Sequence, residues 1–401
     1  MRILIVAPHI KIFGLSGAAI HHMEFTRALT KLGIEVHILA DTEKRIRLGK
    51  KIFLHPANVS KIQPKRFLTS LFSIKRGIEI CKNHNIDIIH DRCDPGQIAG
   101  YLIAKIVNRP RLAEINYNFL SYEIKGNFLK DVLLYPLLQK VKKWWIKYIV
   151  KDSDVITTVS KTIKDSLVKE GLPEKKINAV PNGANPKFFK ISKKSTTARE
   201  RYDLGGNDIV LTIIGELGPR QAIRETALAV HKLKNKFPNI KLILVGSEKR
   251  YQSYLNEIKS LVKKNNMGGH IKFVDSVPHE KLPEFLSAVD LALAPYKDSW
   301  NTESFGFSPI KVFEYMAAKK VVVTTKTKWN EEIISDGKDG FLINLSRMDK
   351  DLEKIILTII RNKRLTKLMV NRARKKIETT YNWDNIAKAY VKIYKDLCKT
   401  A

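Results

Sequence analysis

The chain has 401 residues, of which 44% are hydrophobic and 28% charged, a balance that excludes disordered and collagen-like proteins and provides for more than one ordinary core. Lysine and arginine outnumber the acids by 72 to 40, and the formal net charge of +32 favours an anionic partner. The three cysteines, Cys81, Cys93 and Cys398, fit neither a disulfide framework nor a zinc site.

Two explanations of the positive charge remain open. Lysines occur from Lys11 to Lys399 without one dominant block, so a lysine-rich surface is an alternative to an anion-binding function. No nucleic-acid motif accompanies them, and we expect no nucleic-acid partner. The N-terminal apolar run is too short for a signal sequence, and no run approaches the roughly 18 apolar residues of a spanning helix, so we expect a cytoplasmic protein.

The first half of the chain alternates predicted strands and helices. Residues 3–7, ILIVA, are typical of a buried parallel strand, and after a loop with Gly14 and Gly17 a helix is predicted up to Gly33. The strand that begins at Ile34 completes a βαβ unit. Further predicted elements are strands at 86–90, 111–116 and 154–160 and a helix near 96–107.

A second series of the same kind follows a polar segment. Residues 190–208, KISKKSTTARERYDLGGND, contain almost no large apolar side chain and are predicted to join two domains. The later elements are strands at 209–215, 241–246, 271–275, 291–295 and 320–325 and helices at 222–235 and near 250–264. We expect domains at 1–190 and 206–380, and a C-terminal helix at 381–401 that returns to the first domain.

Two consecutive βα series predict an α/β protein with two doubly wound, Rossmann-like parallel sheets facing a cleft. Ligands of such sheets bind beyond the carboxyl ends of the strands, so the cleft is the predicted site. The loop spacing Gly14-x-x-Gly17 is not the G-x-G-x-x-G of dinucleotide sites, which argues against a nicotinamide cofactor even though Asp41 follows the second strand.

The sequence FGFSPIKVFEYMA, residues 305–317, carries the clearest signal of a site. Ser308 is a favoured N-cap and Pro309 suits the first helical position, so a helix is predicted to begin at Pro309. Lys311 then lies in the first turn, where the helix dipole disfavours a cation. A bound diphosphate would resolve this conflict; the alternative is that Lys311 faces solvent or pairs with Glu314. Glu314 itself stands among apolar residues and needs a partner, either ribose hydroxyls or Lys311.

With these residues the chain resembles the GT-B glycosyltransferases of family GT4, which are retaining enzymes that use nucleotide sugars. Three further segments support the resemblance in family order: GLSGAAIHHMEFTRALTKLGIEVHILA (14–40), DSDVITTVSKTIKDSLVKEGLPEKKINAVPNGANPKFF (152–189) and EEIISDGKDGFLI (331–343). The resemblance implies a GT-B fold and transfer of a hexose-type unit to a glycan or lipid-linked glycan, in cell-surface polysaccharide or glycolipid synthesis. It implies no cofactor and no metal.

The resemblance assigns roles on the donor side. Glu314 matches the family glutamate that binds the nucleotide ribose, Lys311 would contact the departing diphosphate, and Gly17 matches the glycine loop that closes on the donor. The backbone at 308–310 would meet the phosphates. The full set of donor-binding candidates is Gly17, Arg220, Ser308, Pro309, Ile310, Lys311 and Glu314.

The chain departs from the family pattern at three positions. The first glutamate of the donor helix falls on Gly306, although a branch of the family with Ser-Pro-x-Lys before the helix glutamate is closer to this sequence. The arginine and lysine that usually grip the diphosphate fall on Glu216 and Gln221, where Arg220 is the expected substitute. These departures motivate the alternative of a catalytically degenerate GT-B protein that binds a glycan or a partner without turnover.

On the acceptor side, the usual family histidine is absent from AEINYNFLSYE, residues 113–123. Glu114 and Asn116 stand at this strand end, and either could contact the acceptor or the sugar; the alternative is a pair of structural hydrogen-bonding residues. His21 is a further acceptor-side candidate, and one of His21 and His22 is expected to face solvent. Asn116 joins Lys311 and Glu314 as the predicted catalytic residues.

Residues 130–151, KDVLLYPLLQKVKKWWIKYIVK, mix lysines with Trp144, Trp145 and Tyr148. Such a helix could lie on an anionic membrane, where lipid-linked acceptors are found, and would then place the protein at the inner face of the membrane. The alternative is a domain helix with its tryptophans in the core and its lysines in solvent. The run Asp152-Ser153-Asp154 looks like the metal motif of GT-A enzymes, but its place before a strand argues for coincidence.

Overall fold

The computed structural model describes residues 1–14, 16–57, 59, 65–118, 140–141, 143–189, 196–247, 250–297 and 306–400. The chain divides into two compact units. Unit 1 consists of Met1–Asn182, Trp300–Ser308 and Trp383–Ala401, and unit 2 consists of Gly183–Ser299 and Pro309–Asn382. The end of the chain therefore belongs to unit 1, although it follows unit 2 in the sequence.

Unit 1 is built on a sheet whose described strands are β1 (Arg2–Lys11), β2 (Glu35–Asp41), β3 (Ile46–Leu48), β4 (Ile52–Pro56), β5 (Ile88–Arg92), β6 (Arg111–Ile115), β7 (Val155–Thr158) and β8 (Ile177–Ala179). Their order is β3-β4-β2-β1-β5-β6-β7-β8. The described pairs are parallel apart from the antiparallel pair β3 and β4. The order reverses direction between β1 and β5, where a doubly wound sheet offers a crevice beyond its carboxyl ends.

The described helices of unit 1 are α1 (Gly17–Lys31), α2 (Lys65–His84), α3 (Ala99–Val107), α4 (Lys161–Lys169) and, at the end of the chain, α13 (Trp383–Thr400). α1 begins after Ser16, whose hydroxyl accepts a hydrogen bond from the Ala19 N–H, and the chain leaves the helix through Gly33 at a φ of 88°. α13 packs on α1: the Trp383 ring lies 5.5 Å from the His21 ring.

Unit 2 repeats the arrangement with strands β9 (Ile209–Ile214), β10 (Ile240–Val245), β11 (Ile271–Val274), β12 (Leu291–Ala294), β13 (Val321–Thr325) and β14 (Phe341–Ile343). Their order is β11-β10-β9-β12-β13-β14, and the described pairs are all parallel. The described helices are α5 (Thr196–Arg201), α6 (Ile223–Leu233), α7 (Gln252–Lys264), α8 (Leu282–Ser287), α9 (Ile310–Ala317), α10 (Lys328–Glu331), α11 (Met348–Arg361) and α12 (Lys363–Thr379).

The composition of the strands explains why the parallel strands of both sheets are covered by helices on their two faces. β1 contains ILIVA and β13 reads VVVTT, and these residues are all buried. Near-continuous apolar runs of this kind need helices on both faces, which the βα series supplies. The strands and helices predicted in the two series are confirmed. The elements that the sequence analysis did not predict are β3, β4, β8, β14, α2, α4, α5, α8, α10, α11 and α12.

The polar segment at 190–208 is more than a connection. Within it, α5 places Arg199 in a buried position, where the guanidinium donates hydrogen bonds to the carbonyl groups of Gly205 and Asp208. Arg199 also forms an ion pair with Asp290 at 2.9 Å. Residues 190–195 lie outside the described residues. Among the helices that the structure describes, none is long and apolar enough to cross a bilayer.

Candidate functional site

The helix that was predicted to begin at Pro309 is α9, and it begins one residue later, at Ile310. Pro309 takes the N-cap position in an extended conformation, with φ −73° and ψ 109°, and makes no side-chain cap. The expected N-cap role of Ser308 was wrong. Its hydroxyl accepts a hydrogen bond from the Asn182 backbone N–H at 3.0 Å instead, and its carbonyl accepts one from Asn182 Nδ2 at 2.7 Å.

The first turn of α9 leaves backbone donors available. The Val312 N–H donates to the Pro309 carbonyl at 3.0 Å, so the N–H groups of Ile310 and Lys311 come before the first hydrogen bond of the helix. No acid stands in this turn, and Lys311 is its second residue rather than the third. Free N–H groups at the positive end of a helix are suited to an anion.

Lys311 reaches a partner that the sequence did not indicate. Its Nζ donates to Gln221 Oε1 at 2.6 Å and lies 5.7 Å from the centre of the Tyr296 ring. Gly215, which follows β9 at a φ of 126°, lets the ammonium approach the backbone, since a Cβ there would lie 3.1 Å from Nζ. The ammonium is therefore held at the carboxyl end of β9 rather than by Glu314 or by solvent alone.

The surroundings of Lys311 oppose its positive charge. Burial, and after it the charge of Arg220, lower the pKa of Lys311 from 10.5 to about 7, although Glu314 and Glu216 act in the opposite direction. The Arg220 guanidinium lies 5.9 Å from the centre of the same Tyr296 ring. An anion beside these two cations would offset both causes of the lowered pKa.

The two positions where the resemblance places cations have other roles. Gln221 is buried; its amide nitrogen donates to the Glu216 carbonyl, and its oxygen accepts from Lys311. The Glu216 carboxylate is exposed and lies 3.0 Å from Arg250. The family has a cation at position 221, where this chain has Gln221. Lys311, which belongs to α9, places its ammonium next to that position.

Glu314 is paired with a histidine. It is 5% exposed, and its Oε1 lies 2.8 Å from His279 Nε2. The His279 ring stacks on Phe188 with ring centres 4.9 Å apart and planes 15° apart. Ribose hydroxyls or Lys311 were the predicted partners of Glu314; His279 was missed because it is 35 positions away on a separate turn. A carboxylate has acceptor sites beyond one hydrogen bond, so capacity remains for hydroxyl donors.

Gly306, at the position of the first donor-helix glutamate, has no room for a side chain. Its φ is 49°, and a Cβ would lie 2.8 Å from Ile163 Cγ1 and 3.2 Å from Ser160 Oγ. The backbone in this conformation excludes a glutamate. The local fold of unit 1 therefore explains why the family carboxylate is missing at this position.

In unit 1, Glu114 is the centre of a buried polar network. Its two oxygens lie 2.9 Å from His21 Nε2 and 3.1 Å from His90 Nε2. His21 Nδ1 donates to Asn182 Oδ1 at 2.7 Å, so both nitrogens of this ring lie close to side-chain oxygens. Burial by itself would raise the pKa of Glu114, but His21 and His90 outweigh it and hold that pKa well below its ordinary value.

The burial of these side chains bears on two of the candidates. Glu114 is fully buried and bonded to His90 through one oxygen, which favours the alternative of a structural hydrogen-bonding residue, and its contact with an acceptor stays a prediction. His21 is 4% exposed and His22 1%, so the expectation that one of them faces solvent was wrong. α13 packs on α1, and its Trp383 ring lies against His21.

Buried nitrogens of unit 1 without a hydrogen-bond partner in the described ranges include both ring nitrogens of His22, Nε and Nη1 of Arg92, and Nδ2 of Asn116. Arg92 Nε lies 3.6 Å from Asp94 Oδ2 in an ion pair. Arg92 ends β5 and Asn116 follows β6, at the carboxyl edge of the sheet. Burial, and then the charge of Arg92, lower the pKa of His22 well below its ordinary value. Buried donors of this kind are what ligand oxygens would satisfy. The sequence singled out Asn116, but no motif marked His22 or Arg92.

Gly17 is the first residue of α1, and the space beside it is open. A Cβ at Gly17 would meet no atom within 4 Å among the described residues. The Ala19 N–H of the same turn already donates to the Ser16 hydroxyl. The position of Gly17 at a helix start agrees with the sequence, and its contact with the donor stays a prediction.

The described part of the lysine-rich segment has two distinct faces. The buried face consists of Trp145, Ile146, Ile149 and Val150. The exposed side chains, here named the basic aromatic face, are Lys140, Val141, Lys143, Trp144, Lys147, Tyr148 and Lys151. Trp144 is 54% exposed whereas Trp145 is 3% exposed, so Trp145 lies in the core as the second alternative expects, and membrane contact through Trp144 stays a prediction. Residues 130–139 lie outside the described residues.

Two family models match the chain. The model of Glycosyltransferase Family 4 matches residues 15–188, and the model of Glycosyl transferases group 1 matches residues 194–376. Together they take in most of the sequence and follow the division into two βα series.

Relatives and solved structures agree over nearly the whole length. An uncharacterized glycosyltransferase of Methanocaldococcus jannaschii is 23% identical over 98% of this chain and 98% of its own length. The GPI3 subunit of phosphatidylinositol N-acetylglucosaminyltransferase from Saccharomyces cerevisiae is 22% identical over 92% of this chain and 81% of its own. The crystal structure of Anabaena HepE in complex with UDP-glucose is similar at a TM-score of 0.75 and 16% identity, over 99% of this chain and 100% of HepE. The likeness shows a GT-B fold, which confirms the predicted fold class.

Proposed function

Because the chain belongs to the group 1 glycosyltransferases of family 4, and is therefore a transferase enzyme, we propose that it moves a hexose-type sugar from a nucleotide diphosphate sugar to a hydroxyl of a glycan or lipid-linked glycan, with retention of configuration. The product would belong to a cell-surface polysaccharide or glycolipid. The observation that carries the proposal is the cation pair Lys311 and Arg220 beside the free N–H groups of α9.

The diphosphate is the part of the donor that this arrangement suits best. The departing nucleoside diphosphate gains negative charge as the bond to the sugar breaks. The N–H groups of Ile310 and Lys311 and the Lys311 ammonium are fixed in place before that charge develops, which is how an enzyme stabilises a transition state by electrostatics. Arg220 would provide the second cation, as predicted for the departures at Glu216 and Gln221.

The nucleoside part would lie against Glu314. Its carboxylate is held by His279 and retains acceptor capacity, which matches the two hydroxyl donors of a ribose. HepE was crystallised with UDP-glucose, so a uridine nucleotide is the first donor to test.

Retention needs no protein nucleophile in this proposal. The acceptor oxygen attacks the anomeric carbon on the face from which the diphosphate leaves, the carbon–oxygen bond to the phosphate breaks, and the acceptor proton passes to the departing phosphate oxygen. The protein binds, orients and excludes water, since water would otherwise hydrolyse the donor.

The acceptor would be bound by unit 1. Two buried donors at the carboxyl edge of β5 and β6, Asn116 Nδ2 and Arg92 Nη1, have no hydrogen-bond partner among the described residues. They support this proposal, because sugar oxygens would satisfy them. His22 is neutral there and can donate one hydrogen bond and accept another. Glu114 and His21 would act as positioning residues beneath this edge rather than as contacts.

Calorimetry tests the donor site. UDP, GDP, ADP and their common sugar conjugates are titrated into the wild type, Lys311→Ala, Glu314→Ala and the control Lys263→Ala, an exposed lysine of α7. We expect one nucleotide to bind selectively, with affinity lost in the first two variants and kept in the control. Hydrolysis of the matching sugar nucleotide would show turnover without an acceptor. If no nucleotide binds the wild type, the donor proposal fails and the degenerate alternative gains support.

A second proposal concerns the membrane. The sequence 140–151 contains five lysines and no acid, and its exposed side chains include Trp144 and Tyr148, the residue types that favour a lipid headgroup region. We propose that the basic aromatic face binds anionic membranes, where a lipid-linked acceptor would be found. The yeast relative is named for transfer to phosphatidylinositol, which is consistent with such an acceptor.

Vesicle sedimentation tests this face. Wild type is expected to sediment with vesicles that contain phosphatidylglycerol and to remain in solution with phosphatidylcholine alone. Trp144→Ala and Lys143→Glu are expected to reduce sedimentation without reducing nucleotide binding, while Lys263→Glu serves as the charge-matched control. Equal sedimentation of the face variants and the control would show that net charge, and not this face, is responsible.

A further inference from the structure

Three histidines of unit 1, none of them at the candidate site, converge beside the sheet. His37 lies on β2, His55 lies on β4, and His84 is the last residue of α2. One potential ligand atom from each lies within 4.8 Å of those of the other two. His37 and His55 are buried, and His84 is half-buried.

The fold brings these rings together from three elements. β2 and β4 are parallel neighbours in which His37 stands opposite Phe53 and His55 stands opposite Leu39. Because side chains alternate along a strand, His37 and His55 share one face. The end of α2 adds His84 on that face, with its ring centre 4.3 Å from that of His37 and 5.7 Å from that of His55.

We propose that His37, His55 and His84 form a binding site for a divalent transition-metal ion, with Zn²⁺ as the first candidate. Imidazole nitrogens suit zinc, copper and nickel better than magnesium or calcium, which prefer oxygen ligands. His37 Nδ1 and His55 Nε2 are 2.9 Å apart. Two nitrogens bound to one tetrahedral zinc lie about 3.4 Å apart, so a small separation of these rings would admit the ion.

Glu35 gives the cluster the tautomer that a metal ligand needs. Its carboxylate lies 3.2 Å from His37 Nε2. An ionised carboxylate accepts hydrogen bonds and cannot donate them, so in the neutral ring Nε2 carries the proton. The lone pair of His37 is then on Nδ1, which faces His55. A carboxylate behind the far nitrogen of a ligating histidine is a recurrent arrangement in metal sites, where it orients the ring and raises its basicity.

The metal-free arrangement leaves one histidine unsatisfied. If His37 Nδ1 accepts from His55 Nε2, the remaining lone pair of His55 is on Nδ1, which is buried and has no hydrogen-bond partner in the described part of the chain. A bound ion changes this, because His55 can then carry its proton on Nδ1 and ligate through Nε2. Burial is the largest cause that lowers the pKa of all three rings, to about 3 for His55, so they are neutral at physiological pH, as ligands must be.

Positive charges around the cluster work against an ion. Arg45 lies 3.1 Å from His84 Nε2, and Arg76 also acts on the pKa of His55. Glu35 is the opposing charge, and it is shared with Arg2 at 3.3 Å. Arg45 is exposed, in the turn before β3, so it can withdraw without disturbing the core. His84 is half-buried, so the cluster borders solvent, and a water molecule would complete four-coordination.

The site would fasten α2 to β2 and β4, and it lies apart from the residues assigned to sugar transfer. The sequence analysis predicted no metal. For the donor site this stays a prediction, and the proposed histidine cluster departs from it. No sequence motif marks the cluster, because the three histidines are 18 and 29 positions apart and only strand pairing brings them together.

The test uses tag-free, full-length protein freed of metal by a chelator. Zn²⁺ titration by calorimetry is expected to show one equivalent bound, with a Tm that rises as Zn²⁺ increases. Co²⁺ is expected to give the visible absorption of a four-coordinate site. His84→Ala is the main variant, because His84 is half-buried at a helix end, and His231→Ala on α6 is the control.

We expect His84→Ala to lose the Co²⁺ absorption and at least about tenfold in Zn²⁺ affinity, and Glu35→Gln to lose affinity by a similar factor without losing the stoichiometry. The control should match the wild type, and UDP binding by metal-free protein should be unchanged. Equal Zn²⁺ binding by wild type and His84→Ala, or Co²⁺ absorption that survives in that variant, would overturn the site.

Discussion

The lowered pKa of Lys311 predicts that nucleotide affinity depends on pH in a specific way. Without ligand this pKa is about 7, because the ammonium is buried and lies near Arg220. A diphosphate in contact with the ammonium offsets the burial and the charge of Arg220, and it returns the pKa of Lys311 toward its ordinary value. Between the two values, binding takes up one proton, so affinity weakens as pH rises.

The magnitude follows from the fraction of Lys311 that is protonated before binding. With a pKa of about 7, half of the side chain is charged at about pH 7 and roughly one part in a hundred at about pH 9. If the complex keeps the proton, the affinity for UDP falls by about 50-fold over this interval, or about 2 kcal/mol. The second ionisation of a phosphate lies near pH 6, so the ligand contributes little above pH 7.

Calorimetry from about pH 7 to about pH 9, in buffers with different ionisation enthalpies, measures both the affinity and the proton uptake. Lys311→Gln should bind roughly 10- to 100-fold more weakly at neutral pH, since a charged hydrogen bond is lost, and should show no uptake. Arg220→Gln should move the pH dependence upward, because a charge that lowers the pKa of Lys311 is removed. A wild-type affinity that is flat over this range, or a slope that persists in Lys311→Gln, would refute the reasoning.

Three further predictions concern stability and membrane binding. Gly306→Ala is expected to destabilise the protein by roughly 1–3 kcal/mol in urea unfolding, because the new Cβ meets Ile163 in a backbone with positive φ, whereas Gly206→Ala, in open space, should cost less than about 1 kcal/mol. Glu114→Gln is expected to lower the free energy of unfolding by about 3 kcal/mol at neutral pH. The pKa of Glu114 is lowered in the folded state, so the stability that the carboxylate contributes is present above its unfolded-state pKa and is lost as pH falls through its folded-state pKa. The difference in stability between wild type and variant should therefore shrink in acid. Trp144→Ala should leave unfolding unchanged while reducing sedimentation with anionic vesicles, and a large loss of stability would contradict its exposed placement.

The elements of the fold were readable because their signals are local. The apolar runs ILIVA and VVVTT predict buried parallel strands, and Gly33 marks the end of the first helix. Each of these depends on side chains within a few positions of one another. The polar stretch at 196–201 was not predicted as a helix, because it has no periodic large apolar side chains. Its buried side chain is Arg199, which pairs with the distant Asp290 and with nearby carbonyl groups.

The partners in the site were decided by tertiary structure. Lys311 bonds to Gln221 because β9 ends beside α9, and Glu114 lies 2.9 Å from His21 because the fold brings α1 and β6 together. The sequence determined which residues carry charge and which stretches of chain are buried, since composition and periodicity are enough for that. Which charge meets which depends on strand order and on the packing of helices across a sheet, and those contacts join residues about 90 positions apart in the chain.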